Sequence, residues 1–276
     1  MLRKEKPSGE LAPLFIMDLQ LKDKVVLVTG GAKGIGASIT RICAQEGAIA
    51  VAVDRDVTAC QQLQEEVRSQ GLQASFIAMD LASAENCRAI VEHAVATFDH
   101  IDALVNNAGI NDKVGLEHGN PEDFVSSLER NLLHYYNMAH YSVPHLRRSR
   151  GSIVNISSKT AVTGQGGTSG YVASKGAILG VTREWAAELL PYSIRVNAVV
   201  PAEVMTPLYQ QWLDTFPSPQ EKLRSVAAKI PLERRMTAPD EIAAMVVFLI
   251  SAKTGHITGQ HLFVDGGYVH LDRALT

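Results

Sequence analysis

The chain has 276 residues, 46% hydrophobic and 20% charged, with a formal net charge of −3. That suits one large α/β domain and leaves no cationic footprint for nucleic acid or an anionic membrane surface. Three scattered cysteines without a C-x-x-C pair, no apolar run of about 18 residues, and an apolar stretch at 14–17 too short for a signal peptide exclude a disulfide scaffold and a membrane span, and point to the cytoplasm.

Residues 1–17 hold Pro7, Gly9 and Pro13 among mixed charges without periodicity. They read as a poorly ordered arm, dispensable through residue 16, ahead of a domain at 18–276. From Lys24 onward the pattern alternates. Residues 25–29, 49–53, 75–79, 103–105, 152–156, 194–200 and 262–264 are short apolar runs of the kind a buried parallel strand requires. Between them, 35–46, 57–70, 84–98, 122–148, 171–190 and 239–250 read as helices; Pro239 with Asp240 and Glu241 suits the start of the last one. Strands alternating with helices predict a single-domain, Rossmann-type, doubly wound parallel sheet with helices on both faces. Residues 202–238, with Pro207, Pro217, Pro219 and Pro231, interrupt that pattern. They are expected to form a lid over the carboxyl ends of the strands, the alternative being a plain surface excursion.

The first strand runs into Thr29-Gly30-Gly31-Ala32-Lys33-Gly34-Ile35-Gly36. Glycines there allow a sharp turn and close approach of backbone to a pyrophosphate, and the helix that follows offers free N–H groups to the anion. Asp54 closes the second strand, where a carboxylate binds the hydroxyls of an adenosine ribose and repels a 2′-phosphate; Lys33 and Arg55 pull the other way. The balance favours NAD over NADP. Asp80 and Leu81 suit an adenine contact, and Asn106-Asn107-Ala108-Gly109 supplies small residues at the sheet edge.

Tyr171 and Lys175 stand four residues apart, hence on one face of a helix. A tyrosine with its ordinary pKa near 10 is a poor base at neutral pH; a fixed ammonium beside it is expected to lower that value. The nine histidines show no ligand spacing, so no metal is expected. Ala173, Gly176, Ala177 and Gly180 make one helix face small, which suits either another subunit or a tight intrachain contact.

With the glycine motif, Asn106-Asn107-Ala108-Gly109, the Ser158/Tyr171/Lys175 set, and Pro201 with Thr206 in one register, the chain resembles the short-chain dehydrogenase/reductase family from about Leu19 onward. The resemblance implies Ser158 (Ser157 as fallback), Tyr171, Lys175 and Asn131 as the catalytic set, Asn131 holding a water in a proton relay. It implies Gly30, Lys33, Gly34, Ile35, Gly36, Asp54, Arg55, Asp80, Leu81, Asn107, Ala108, Gly109, Tyr171, Lys175, Pro201, Val204 and Thr206 around the nicotinamide cofactor, and a homotetramer. Ala202 stands where the family usually has glycine, which puts the loop path there in question. Within the family, segments around Asn111, 131–136, 158–165, 201–209 and 271–275 are similar to bacterial L-fucose dehydrogenases. That branch implies NAD-dependent oxidation of the anomeric hydroxyl of an aldose such as L-fucose to the lactone. A ketone, steroid or 3-oxoacyl reductase of the same family is the alternative. Asn111, Lys159, Gln165, Glu203 and Tyr209, beside Ser158, are the candidate sugar contacts; the alternative is that they decorate a solvated loop.

Overall fold

The structure, a computed structural model, describes residues 17–272. The expected arm, Met17 apart, and the residues from 273 onward lie outside that range. Seven parallel strands are present: β1 (Val25–Thr29), β2 (Ile49–Asp54), β3 (Ala74–Ala78), β4 (Ala103–Asn106), β5 (Ser152–Ile156), β6 (Arg195–Pro201) and β7 (His261–Val264). Their order in the sheet is β3-β2-β1-β4-β5-β6-β7. The chain winds outward from β1 to β3, then returns to the other side of β1 at β4. The carboxyl ends of β1 and β4 therefore flank the switch point, where an open α/β sheet has its crevice.

Alternate residues of each buried strand feed opposite layers, because successive side chains point to opposite faces. Val26 and Val28 pack with Ile39 of α1 (Gly34–Gln45) and with Val246 and Val247 of α10 (Pro239–Ile250). Val25 and Leu27 pack with Ile90 of α3 (Ala84–Phe98), Met138 of α5 (His134–Ser149) and Ile178 of α7 (Ser169–Glu188). The helix α2 (Val57–Ser69) joins the α1 side through Leu63 and Val67. Each such fully buried Val, Leu or Ile stabilises the fold by about 1.5–3 kcal/mol relative to exposure.

Two features depart from the sequence reading. The long helix expected over 122–148 is α4 (Pro121–Leu128), a π-helical turn (Glu129–Leu133) and α5. The π turn re-aims Asn131 inward, where it is fully buried; such turns recur at functional sites. Residues 202–238 are not only a loop. They contain α8 (Pro207–Leu213) and α9 (Pro219–Ala227), each with proline in its first turn, where the missing N–H costs nothing. A short helix, α6 (Thr160–Thr163), follows β5.

A buried polar ladder ties α7 to the sheet. Asn106 Nδ2 donates to Asn155 Oδ1 at 3.0 Å, and Asn155 Nδ2 donates to Thr182 Oγ1 at 3.0 Å. Unpaired, these amides would each cost about 1–3 kcal/mol; paired, they set the register of α7 over β4 and β5.

Candidate active site

The turn between β1 and α1 has a geometry that side chains would close. Gly30 and Gly34 lie in the left-handed region, at φ 61° and 51°. A Cβ on Gly36 would stand 1.9 Å from the Gly30 carbonyl oxygen. The first residue before α1, Lys33, gives no side-chain cap, so the first N–H groups of that helix face the turn without one. Thr29 Oγ1 accepts from the N–H groups of Asn107 (2.9 Å) and Ala108 (3.2 Å), while Asn107 Nδ2 donates to the carbonyls of Thr29 and Gly30. These bonds stitch the end of β4 beside the turn. A narrow, Cβ-free cradle at a helix amino end fits the pyrophosphate of a dinucleotide.

A cavity of about 280 Å³ opens from this cradle. Gly30, Lys33, Gly34, Ile35, Asn107, Ala108, Gly109, Pro201, Val204 and Thr206 lie on its wall, together with Asn111, Ser158, Tyr171, Lys175 and Tyr209. Gly36, Asp54, Arg55, Asp80, Leu81, Asn131, Lys159, Gln165 and Glu203 do not. Asp54 accepts from the N–H groups of Ala32 (3.3 Å) and Asp56 (3.0 Å), which holds its carboxylate against the glycine turn. Lys33 pairs with Asp56, and Arg55 approaches Asp80 at 3.8 Å. Both cations weighed for a 2′-phosphate thus have carboxylate partners. Ala202 lines the cavity and is not among the residues with positive φ, so its methyl carries no left-handed strain.

Ser158 and Ser157 separate by direction. Ser157 Oγ donates to the carbonyl of Lys175 at 2.8 Å and is used in holding α7. Ser158 is hydrogen-bonded to the Tyr171 phenol and accepts from Thr160 Oγ1 at 3.0 Å. Lys175 Nζ donates to the Ile156 carbonyl at 2.8 Å and to Tyr135 Oη at 3.0 Å, and lies 5.6 Å from the centroid of the Tyr171 ring.

The expected electrostatic balance is corrected here. Burial pushes the Tyr171 phenol up to about 12, with the Ser158 hydrogen bond opposing, and pushes the Lys175 amine down to about 7. Loss of hydration disfavours phenolate and ammonium alike, and it is the leading cause of both displacements. Asn131 Oδ1 accepts from Ile110 N–H at 2.7 Å and its Nδ2 donates to the Ser127 carbonyl at 3.0 Å. Its amide braces the π turn; a Cβ on Gly109 would stand 3.1 Å from that Oδ1 and 3.4 Å from Lys175 Nζ.

The candidate sugar contacts are also rearranged. Lys159 is buried in an ion pair with Glu203, and its Nζ lies 3.9 Å over the Tyr268 ring. Tyr209 Oη donates to Glu203 Oε2 at 2.9 Å, and burial with the Glu203 charge holds that phenol far above its usual range. Lys159 and Glu203 therefore face each other rather than the rim. Gln165 is exposed beside three left-handed glycines, Gly164, Gly166 and Gly167. Tyr135 and Tyr268 were not visible as site residues in the sequence; nothing in their spacing announces them. A second cavity, about 370 Å³, lies by Ile230, Phe263 and Leu271, but its Arg235 and Glu241 pair with each other at 2.7 Å and it shares no residue with the first. Among the described residues no group of three His, Cys, Asp or Glu side chains could hold a metal ion, and no helix is long and apolar enough to cross a membrane.

Residues 30–269 match the family model described as Enoyl-(Acyl carrier protein) reductase. An L-fucose dehydrogenase of Oryctolagus cuniculus is 40% identical over 88% of this chain and 84% of its own length. The crystal structure of the Cj0485 dehydrogenase superposes with a TM-score of 0.89 at 45% identity, covering 94% of this chain and 99% of that one. The L-sorbose reductase of Gluconobacter frateurii, solved with NADPH and L-sorbose, superposes with a TM-score of 0.88 at 29% identity over 93% and 100% of the two chains. The sheet order, the cradle, the tyrosine–lysine helix and these matches lead to one assignment: the chain belongs to the short-chain dehydrogenase/reductase family of oxidoreductases acting on CH–OH groups.

Proposed function

We propose that this oxidoreductase oxidises the anomeric hydroxyl of an aldose such as L-fucose to the lactone, with NAD. The observation that carries this reading is the pair of polar groups beside Ser158 and Tyr171: Asn111 and Tyr209 on the cavity surface, with Tyr209 anchored on the Lys159–Glu203 pair. A steroid or acyl chain calls for an apolar wall, whereas a sugar ring calls for fixed donors and acceptors. The L-fucose dehydrogenase relative and the L-sorbose-bound neighbour support the sugar class.

In this mechanism Ser158 and Tyr171 hold the C1 oxygen, and Tyr171 Oη takes its proton. Lys175 supplies positive charge behind the phenol and holds the cofactor ribose. A bound oxidised nicotinamide supplies the two-electron acceptor and a further positive charge. Asn131 keeps the π turn, and with it any water path from Lys175, in place. Asp54 selects the unphosphorylated ribose. The segment 202–238 closes over the cavity as a lid, with Thr206, which caps its first helix, beside Gly34. The small face of α7 packs on a second copy in a homotetramer, a reading supported by the open space around Gly176 and Gly180, where an added Cβ would meet nothing within 4 Å among the described residues beyond the helix's own backbone.

A panel of 6-deoxy and ordinary aldoses, a steroid and a 3-hydroxyacyl thioester, each with NAD and NADP, tests the reading through the appearance of reduced nicotinamide. Turnover is expected on aldoses with NAD, and Tyr171→Phe is expected to lower it by about 10²–10⁴-fold while leaving cofactor binding in place. Turnover on the steroid or thioester alone would overturn the sugar assignment. An acyl or ketone reductase using NADPH is the second reading, favoured by the family description; it requires Lys33 or Arg55 to leave Asp56 or Asp80 for a 2′-phosphate.

A further inference from the structure

Lys175 Nζ has three protons and a defined use for two of them. One goes to the Ile156 carbonyl at 2.8 Å and one to Tyr135 Oη at 3.0 Å. Tyr135 Oη in turn donates its own proton to the same Ile156 carbonyl at 2.9 Å. Amine, phenol and carbonyl thus close a three-membered ring of hydrogen bonds in which no donor competes with another for direction. Tyr135 is fully buried at the start of α5, directly after the π turn, and its ring centroid is 5.1 Å from the amine; the Tyr171 centroid is 5.6 Å away. The third proton is left for the cavity, where Lys175 lines the wall.

We infer that Tyr135 is a positioning residue for the reaction: its hydroxyl oxygen accepts from Lys175, holds the amine in its charged form and aims it between Tyr171 and the bound cofactor. This rests on the hydride-transfer reading above, though not on the identity of the alcohol. The other titratable groups facing Lys175 are Tyr171 on its own helix and His134 on the neighbouring segment, which burial and the Lys175 charge keep neutral. From β5 and the residue after it, the contacts are the Ile156 carbonyl and Ser157 Oγ, the latter on the Lys175 backbone. None of the ion pairs among the described residues involves Lys175. With no carboxylate to hold the proton, the neutral oxygen of Tyr135 is the side-chain acceptor available to do it.

The sign follows from which form each bond favours. An acceptor stabilises ammonium over amine, so it raises the amine's pKa; the retained charge stabilises the Tyr171 phenolate and lowers the phenol's pKa. Tyr135→Phe removes the acceptor and little volume. Lys175 then titrates lower, and the acid limb of kcat/KM for alcohol oxidation moves to higher pH by about one unit, a roughly ten-fold loss on that limb that disappears at alkaline pH. A residue serving only to fill the core would lower the rate at every pH, or not at all.

Two measurements test this. The first is the pH profile of wild type and Tyr135→Phe on whichever alcohol turns over in the panel, with the melting temperature as a folding check. The second needs no turnover: protein carrying ¹³C-labelled lysine is titrated in the absence of cofactor, the Lys175 signal being the one lost in Lys175→Met. A lower Lys175 midpoint in Tyr135→Phe, with an upward-shifted acid limb that is rescued at high pH, supports the inference. An unchanged Lys175 midpoint, or a uniform loss across pH, overturns it. If Tyr135→Phe does not fold, Tyr135→Met is taken through the same titration, with the same two outcomes. Absence of turnover on every alcohol would count against the functional reading, while the lysine titration still decides the role of Tyr135.

Discussion

Glu203 and Lys159 form a buried pair of charges that also anchors Tyr209. Lys159 is 7% exposed, and the Glu203 carboxylate takes its ammonium on one oxygen and the Tyr209 hydroxyl on the other. Removing one charge strands its partner, which for buried pairs costs about 3–5 kcal/mol. Glu203→Gln should therefore lower the melting temperature and, by freeing Tyr209, raise the sugar KM by about ten-fold or more. The double variant Lys159→Met/Glu203→Gln strands no charge, so it should regain most of the stability while KM stays high. If KM for the sugar were unchanged in both proteins, the pair would be a structural strut alone. At this scale the sequence was a good guide to residue type and a poor guide to partner. Helical spacing paired Tyr171 with Lys175, and the family resemblance added Ser158. The sequence could not show that Lys159 and Glu203 cancel each other, that Ser157 turns to the Lys175 carbonyl, or that Tyr135 reaches Lys175 from 40 residues away.

At the scale of elements, the strands were legible because a parallel sheet covered on both faces leaves a continuous apolar run, and residues 25–29 and 152–156 match β1 and β5 to the residue. The π turn was not, because Glu129–Leu133 continues an unbroken helical pattern and the extra residue is a matter of backbone pairing alone. The helices α8 and α9 were marked by Pro207 and Pro219, read as breaks although each stands in a first turn. The glycine turn gives a prediction of its own. A methyl on Gly36 meets the Gly30 carbonyl at 1.9 Å and Asn107 Nδ2 at 2.7 Å, so Gly36→Ala must displace the wall on which the dinucleotide would rest. Titration calorimetry should show binding of NAD weakened beyond detection. Gly176→Ala, on an open helix face, should leave that binding intact and, in an unpartnered chain, add up to about 1 kcal/mol to stability. Equal NAD affinity in Gly36→Ala and wild type would remove the cradle from the cofactor site.

For the molecule as a whole, the segment that turns Asn131 inward also leaves a buried imidazole in the residue that follows the π turn. His134 is 3% exposed, with Nε2 donating to the Arg130 carbonyl at 3.1 Å and Nδ1 without a hydrogen-bond partner among the described residues. Burial first, then the Lys175 charge, push it down to about 4, with the Arg130 carbonyl and Asp80 opposing. A histidine depressed in the folded state destabilises on acidification: below about pH 6.5 the unfolded chain binds a proton that the folded chain refuses until about pH 4. The unfolded state then holds more protons, so stability rises with pH across that window. A displacement from the ordinary 6.5 to about 4 corresponds to a stability loss of about 3 kcal/mol between neutral pH and pH 4. His134→Gln keeps an amide donor and has nothing to titrate. Urea unfolding at one protein concentration, followed from pH 7.5 to 4, should show the wild type losing ground to this variant by that amount, most of it below pH 6.5. A stability difference that does not change with pH would mean that His134 takes up its proton in the native fold, and that the core beside Lys175 is wetter than its packing implies.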